Sequence, residues 1–532
     1  MPHIDRRAFM ASSIGAAAAA AAPGAAGAAT LGSLLSAATV RTVREEQRVV
    51  IIGSGFGGGV AALRLAQVGI PSMVLERGRR WVTGPNMDTF PTLKSLDERV
   101  LWYGSAKEVY GRRVSLIKPY AGLIDAIAGT NMTVMTAAGL GGGSLLYQGM
   151  TLQPSEAIFN ACLPQSLDYK KMDAVYYPRV AKMLQVATAP DELINSPNYA
   201  AARLFAKHVR AAGYAVEKIP MPIDWDFALA ELRGEMKPSY TNGDCALGVN
   251  NGGKHSVDVT YIAEAERTGM VSVRVLHHVR KVARAVNGQW QVHVDHTDVN
   301  GTVLEKKIIT CKALIMAAGS VGTTKLLLRA KAQNTISNLP DALGAGWGTN
   351  GDRIMVWTNL NEDFGAIQGG PVIYGSKEWA DPARANTVIQ ASIPPVGLDL
   401  RSTMLVGFGV SDKRGQWRYN PLTDESTLDW QREGDWALHQ RILARAKQIS
   451  GSGSLLLDTH AIAPSTWHPL GGANMGTVCD LSGRVREQKG LYVLDGALIP
   501  GTTCACNPSM TIAAVAERAI DDIIANDVGT LV

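Results

Sequence analysis

Two glycine-rich turns and two short polar motifs hold the residues of this 532-residue chain whose types and spacing can do chemistry. The first turn is Gly53-Ser54-Gly55-Phe56-Gly57-Gly58, a GxGxxG pattern. It follows the apolar run Val49-Val50-Ile51-Ile52, which suits a buried parallel strand, and opens a helical pattern through Val60, Leu63 and Leu65. Ser72-Met73-Val74-Leu75 reads as a second strand ending at Glu76. In such a unit Gly53 permits the tight turn and Gly55 lets the backbone approach a pyrophosphate. Phe56 and Gly57 open the helix, and Gly58 lets helix and strand pack closely. The helix N-terminus offers unpaired amides and a positive dipole end to phosphates, and Glu76 would accept hydrogen bonds from ribose hydroxyls. The chemistry is the binding of an ADP-containing dinucleotide, and the motif alone does not choose between nicotinamide and flavin forms.

The second glycine turn, Gly139-Leu140-Gly141-Gly142-Gly143-Ser144, leads through Leu145 to Met150 and fits either close passage beside a bulky flat ligand or a plain connection. Ala313-Leu314-Ile315-Met316-Ala317-Ala318-Gly319-Ser320 reads as a buried strand ending in small residues that would also let backbone approach the nucleotide. Two C-terminal motifs carry most of the mechanistic weight. One is Trp467-His468-Pro469-Leu470-Gly471-Gly472; the other is Asp495-Gly496-Ala497-Leu498-Ile499-Pro500-Gly501, followed by Asn507-Pro508-Ser509-Met510-Thr511-Ile512. After Pro508 the apolar spacing is helical, so Asn507 is a natural N-cap and Pro508 a natural first helical residue. A positive helix end there would stabilise negative charge on a bound group by about 0.3–1 kcal/mol when exposed and up to ~2 kcal/mol when partly buried.

These residues need a large scaffold. At 46% hydrophobic and 19% charged, the chain is long enough for more than one domain, and too long after the first turn for a single nicotinamide domain. A net charge of +5 with dispersed Lys and Arg gives no nucleic-acid stripe. Six cysteines without a CxxC pair give no metal or dithiol framework. Asp5-Arg6-Arg7-Ala8-Phe9-Met10, with an Ala-rich stretch to Ala22, reads as a twin-arginine export leader over residues 1–45, sending the protein to a secreted or periplasmic place. Strand-like runs at Val279–Val286, Gln289–Thr297 and Thr302–Cys311, joined at Asn287-Gly288 and Asn300-Gly301, predict a β-meander. The expected fold is α/β, with a Rossmann-like dinucleotide domain assembled from residues 46–150, 244–330 and 461–532. A mixed α+β substrate domain is expected from residues 151–243 and 331–460, with a helix over Asp435–Ile449.

With Gly149-Met150, Gly253-Lys254 through Thr260-Tyr261, Leu276-His277-His278-Val279 and Gly344-Ala345-Gly346-Trp347-Gly348, the motifs resemble those of the glucose–methanol–choline (GMC) oxidoreductases. Within that family they resemble the bacterial cholesterol oxidases that hold FAD non-covalently. The likeness is spread along the whole mature chain. It implies FAD held by Gly53, Gly55, Phe56, Gly57, Gly58, Glu76, Gly141, Gly142, Gly143, Ser144, Met150, Val279, Gly319, Asp495, Gly496 and Pro508. It implies oxidation of a bulky secondary alcohol, such as a 3β-hydroxysteroid, with molecular oxygen reduced to hydrogen peroxide. His468 would be the general base and Asn507 would orient the hydroxyl and the reduced flavin. Transient contact with a membrane surface follows from such a substrate; a metal does not. Two alternatives stay open: a dehydrogenase using another electron acceptor, and a catalytically weak flavin-containing sterol-binding protein. One departure concerns a cavity glutamate that moves a proton in the family's second, isomerising step. Aligning Pro395-Val396-Gly397-Leu398-Asp399 with the family segment puts Gln390 at its place, and an amide is no carboxylate base. Tyr147-Gln148 also replaces the family's asparagine before Gly149.

Overall fold

The computed structural model describes residues 40–532 apart from 94, 104–107, 110–111, 114–117, 396–397 and 412. The twin-arginine motif and its Ala-rich stretch lie outside the described residues.

β1 (Thr42–Ile52) runs into the first glycine turn, α1 (Phe56–Gln67) returns along the sheet, and β2 (Ser72–Leu75) pairs parallel with β1, Val49 opposite Ser72 and Ile52 opposite Leu75. Beyond β2 lies β3 (Val271–Arg274), again parallel. β4 (His277–Arg284), β5 (Trp290–Thr297) and β6 (Val303–Met316) form the antiparallel meander, and α2 (Gly319–Ala332) follows. The sheet order is β3-β2-β1-β6-β5-β4.

Two sequence expectations change here. The meander's last strand and the separate buried strand expected at Ala313 are one element: β6 alternates in burial to the exposed Lys312, with Lys307, Ile309 and Cys311 buried, then is buried throughout from Ala313 to Met316. Its first part pairs with β5, and Leu314–Met316 pairs instead with the short strand Leu491–Val493, which returns from the C-terminal region. Thr42–Glu45, expected to lie outside the fold, are part of the sheet and pair with Lys306–Ile309. This half of β1 is mostly polar, exposed on one face and half-buried on the other, so no apolar pattern announces it.

A second sheet is wholly antiparallel. It contains β7 (Arg353–Thr358), β8 (Tyr374–Glu378), β9 (Asn386–Ala391) and β10 (Ser402–Gly409); after α3 (Trp436–Ser450) comes β11 (Leu455–Asp458). The order is β11-β7-β10-β9-β8, with Glu217–Lys218 as the far edge. Because side chains alternate along a strand, the two faces separate cleanly. Met355, Trp357, Val388 and Leu405 pack against Leu438 and Ile442 of α3 and against Phe205 and Val209 of the helix Ala200–Ala211. Ile354, Ile389, Ala391, Met404, Val406 and Phe408 face the first domain across a cavity.

The partition between the domains is less simple than the expected segment boundaries. Ile158, Phe159 and Val180, from helices placed in the substrate domain, belong to the main core with α1 and the dinucleotide sheet, as do Trp347, Trp417 and Trp430. The helix Tyr177–Met183, which carries Val180, packs on α4 (Pro508–Asn526), whose buried Ala513, Ala516 and Ile520 lie in that same core. Among the described residues no helix is long and apolar enough to cross a membrane.

Candidate active site

One cavity of about 980 Å³ runs between the two sheets, from the C-terminal ends of β1 and β2 to the inner face of the second sheet. That is large for a single-ligand pocket and suits a cofactor with a substrate beside it.

The dinucleotide end is built almost entirely from backbone. Gly53 has φ +98°, and a Cβ there would meet the Ala317 carbonyl oxygen at 2.2 Å, so only glycine turns the chain this close to β6. A Cβ at Gly57 would strike the Leu494 carbonyl oxygen at 1.8 Å, which places α1 directly on the returning C-terminal segment. Gly55, by contrast, caps α1 without any side-chain hydrogen bond and lies directly against Gly142, a Cβ at Gly142 meeting the Gly55 Cα at 2.8 Å. The two glycine turns thus stand back to back, and the first amides of α1 are left for a ligand.

Ser54, which the sequence reading did not single out, ties these parts together. Its Oγ donates to Glu76 Oε2 at 2.6 Å and accepts from the Gly141 N–H at 3.1 Å. The other Glu76 oxygen accepts from the Gly78 N–H at 2.8 Å, fixing the carboxylate where β2 ends. Lys254 holds the second glycine segment from behind. Its buried Nζ donates to the carbonyls of Leu145 (3.0 Å) and Tyr147 (2.5 Å), and burial pulls its pKa down to about 7. Ser144 Oγ donates to the Gly141 carbonyl and accepts from the Val257 N–H.

Of the residues expected to hold the cofactor, Gly53, Gly55, Phe56, Gly57, Glu76, Gly142, Gly143, Met150, Val279, Gly319, Asp495, Gly496 and Pro508 line the cavity. Gly58, Gly141 and Ser144 do not; they shape the turns from behind. Asp495 accepts from the Gly319 N–H (2.8 Å), Thr323 Oγ1 (2.5 Å) and the Ala497 N–H (2.8 Å), and burial still pushes its pKa up to about 6. At the far end His277 lines the cavity with a buried Nε2 that has no partner, while its Nδ1 donates to the Val275 carbonyl; burial lowers its pKa to about 4. Open helix amides, an acid at the end of β2, paired glycine turns and an unpaired imidazole nitrogen fit an anionic dinucleotide of FAD type.

At the other end stand His468 and Asn507, which the fold brings within a hydrogen bond of each other. Asn507 caps α4, its Oδ1 accepting from the Ser509 N–H at 3.1 Å. That leaves Nδ2 as the group facing His468, and it donates to His468 Nε2 at 2.9 Å. The other ring nitrogen, Nδ1, donates to Asp352 Oδ1 at 2.7 Å. These two partners put a ring proton on Nδ1, facing Asp352, and leave Nε2 as an acceptor at the cavity wall beside Asn507. Phe408 packs edge-on to the ring with centroids 5.3 Å apart. Beyond lies an apolar chamber of Leu247, Val372, Ile389, Met404, Val406 and Phe408.

Gln390 is elsewhere. Its neighbours Ile389 and Ala391 line the chamber, so Gln390 lies on the opposite, helix-covered face of β9, where its amide donates to Thr403 Oγ1 at 3.0 Å. The expectation that it replaces a cavity base is corrected: it does not line the cavity. Asp352 is the functional residue the sequence reading missed. The available signal was its place just after the Gly344–Gly348 motif, in Thr349-Asn350-Gly351-Asp352.

Two models of the GMC oxidoreductase family match this chain, one over residues 114–343 and the other over residues 417–516. Together they span more than half of it, and the chain belongs to the GMC oxidoreductases, FAD-dependent enzymes that oxidise alcohols. Within that family it is 27% identical over 552 aligned positions to a cholesterol oxidase of Mycobacterium tuberculosis (strain ATCC 25618 / H37Rv), covering 88% of this chain and 90% of the relative. A cholesterol oxidase of Acinetobacter baumannii is 25% identical, covering 89% and 94%. The pyridoxine 4-oxidase structure from Mesorbium loti shares the fold at a TM-score of 0.63 and 14% identity, covering 90% of this chain and 99% of that one.

Proposed function

We propose that the protein oxidises a bulky, largely apolar secondary alcohol, a 3β-hydroxysteroid above all, to the ketone, with oxygen reduced to hydrogen peroxide. The observation that carries this reading is the position of the His468 Nε2 lone pair, between the dinucleotide cradle and a chamber lined by aliphatic and aromatic side chains. When bound, FAD supplies the hydride acceptor and passes the electrons to oxygen. The chain's own residues supply the rest. His468 Nε2 exchanges its hydrogen bond from Asn507 Nδ2 for the substrate and takes the hydroxyl proton, breaking O–H and forming N–H. Asn507 Nδ2 donates to the alcohol oxygen as that proton leaves. Pro508 and the first amides of α4 put the positive helix end beside the cofactor's developing negative charge. The chamber excludes water and recognises shape more than polarity.

The steroid substrate is supported by the apolar chamber and by the cholesterol-oxidising relatives. Among the described residues Asp352 is the one carboxylate at the chamber end, and it is committed to His468. A Δ5-3-hydroxysteroid should therefore leave as the Δ5-ketone, without isomerisation to the Δ4-ketone. A peroxide assay across sterols and secondary alcohols, with products identified by mass spectrometry, tests the reading. Flavin-loaded protein that reduces its flavin with none of them overturns it. So does a His468→Ala variant that oxidises as fast as the parent. Export by the twin-arginine route and brief contact with a membrane surface belong to the same proposal, and a secretion assay on the Arg6, Arg7 pair tests the first.

A further inference from the structure

The environment of Asp352 carries one more assignment. Its carboxylate is 5% exposed and both oxygens are committed. Oδ1 accepts from His468 Nδ1 at 2.7 Å. Oδ2 accepts from Thr466 Oγ1 at 3.0 Å and from the Trp467 backbone N–H at 2.9 Å. Thr466 Oγ1 in turn accepts from the His468 N–H at 3.1 Å. One aspartate on the segment entering β7 thereby fixes the position, ring orientation and tautomer of a histidine 116 residues later in the chain.

The neighbouring Asn350 does the corresponding work for the Asn507 loop. Its Oδ1 accepts from the Thr503 N–H at 2.9 Å, and its Nδ2 donates to the Cys506 carbonyl at 2.7 Å. The turn between carries two residues of positive φ, Cys504 (+67°) and Ala505 (+59°). A short piece of backbone, Thr349–Asp352, therefore sets both halves of the His468–Asn507 pair in register.

We infer that Asp352 is a positioning residue for the oxidation. It holds the His468 proton on Nδ1, keeps Nε2 unprotonated so that it can act as the base, and stabilises the imidazolium formed when the substrate proton arrives. The inference rests on the reading of His468 as that base. A purely structural aspartate would be replaceable by asparagine, which has the same shape; this one is not, for a reason of donors and acceptors. The Trp467 N–H can only donate, so in an Asp352→Asn variant the amide oxygen must face it. The amide NH2 then points at His468 Nδ1 and forces that nitrogen to accept, moving the ring proton to Nε2. There it meets the Asn507 NH2, donor against donor, and the lone pair that takes the substrate proton is lost.

The test has two arms. In holoenzyme with 15N-labelled histidine, NMR reads the ring tautomer without any substrate, His468→Gln supplying the assignment. The expected spectrum has His468 protonated on Nδ1 in the parent and on Nε2 in Asp352→Asn. In the kinetic arm Asp352→Asn lowers kcat by about 10²–10⁴-fold, by comparison with the asparagine exchange in a Ser-His-Asp triad, with KM changed little. A parent spectrum with the proton on Nε2 overturns the inference, and so does an Asp352→Asn enzyme within about threefold of the parent kcat. If no alcohol in the panel is oxidised, the functional reading falls while the NMR arm still decides the role of Asp352.

Discussion

Glu517 offers the sharpest energetic test of how the site is held. It is fully buried in the middle of α4, and four hydrogen bonds converge on it: Arg64 Nε at 2.6 Å, Arg64 Nη2 at 2.8 Å, Arg179 Nη1 at 3.1 Å and Tyr261 Oη at 3.0 Å. Arg64 lies on α1, so this bidentate pair fastens the helix that opens at Gly55 to the helix that opens at Asn507. Glu517→Gln keeps the shape and removes the charge. The amide oxygen must take the Oε2 place, where two guanidinium groups donate, and the NH2 then faces Arg64 Nη2, donor against donor. Removing one member of a buried pair costs about 3–5 kcal/mol. Here the arginine side chains are 16% and 30% exposed and regain some water, which brings the cost to about 2–3 kcal/mol. At about 2–4 °C per kcal/mol for a domain of roughly 150–250 residues, the melting midpoint falls by about 4–12 °C. Flavin fluorescence on heating reads release of the cofactor, and tryptophan fluorescence reads the fold. Both should move together, with kcat of the folded enzyme near the parent value. A Glu517→Gln protein melting within about 1 °C of the parent refutes the reasoning.

Three further outcomes follow from described features. Gln390→Glu puts an unpaired carboxylate on the helix-covered face of β9, so it should lower the melting temperature and yield no Δ4-ketone; a gain of isomerase activity would show that this side chain reaches the chamber. Burial lowers His277 to about 4 and His460 to about 3. An unfolded histidine binds its proton below about 6.5, so each contributes stability above that pH and loses it, at about 1.4 kcal/mol per pH unit, as pH falls toward 4. Asp495, raised to about 6, opposes one of them between about 6 and 4; urea unfolding at stepped pH should show this net loss, and His277→Gln should make it shallower. Cys162 is the cysteine with partial exposure, and a hydrogen bond from the Cys504 thiol together with the Arg414 charge lowers its pKa. A brief, limiting dose of iodoacetamide should therefore label it before the other five, as read by peptide mass spectrometry.

Much of this was legible in the sequence because it is local. The strand, turn, helix, strand and acid of residues 49–76 sit in a single stretch, and each glycine meets a steric need that a few neighbours create. The Asn507-Pro508 helix start is equally local. What was illegible depends on parity and distance. Gln390 was placed by matching a loop after β9, and in a strand an offset of a single residue exchanges the cavity face for the helix face. Asp352 and His468 meet only through the tertiary fold, and nothing in Thr349-Asn350-Gly351-Asp352 says which histidine it will find. β6 looked like two strands because the exposed Lys312 interrupts its apolar run where the neighbours change from the meander to Leu491–Val493.

That change of neighbours bears on how the protein is made. As the chain leaves the ribosome, the first glycine turn, the meander and α2 are all available while Leu314–Met316 still lacks the strand that pairs with it on one side. Leu494, whose carbonyl packs against Gly57, and the His468 and Asn507 loops arrive in the same late stretch. The open edge, the floor of the phosphate cradle and the His468–Asn507 pair are thus completed together, after the other strands of both sheets have emerged. An unfinished chain therefore lacks both the floor of the dinucleotide cradle and the His468–Asn507 pair.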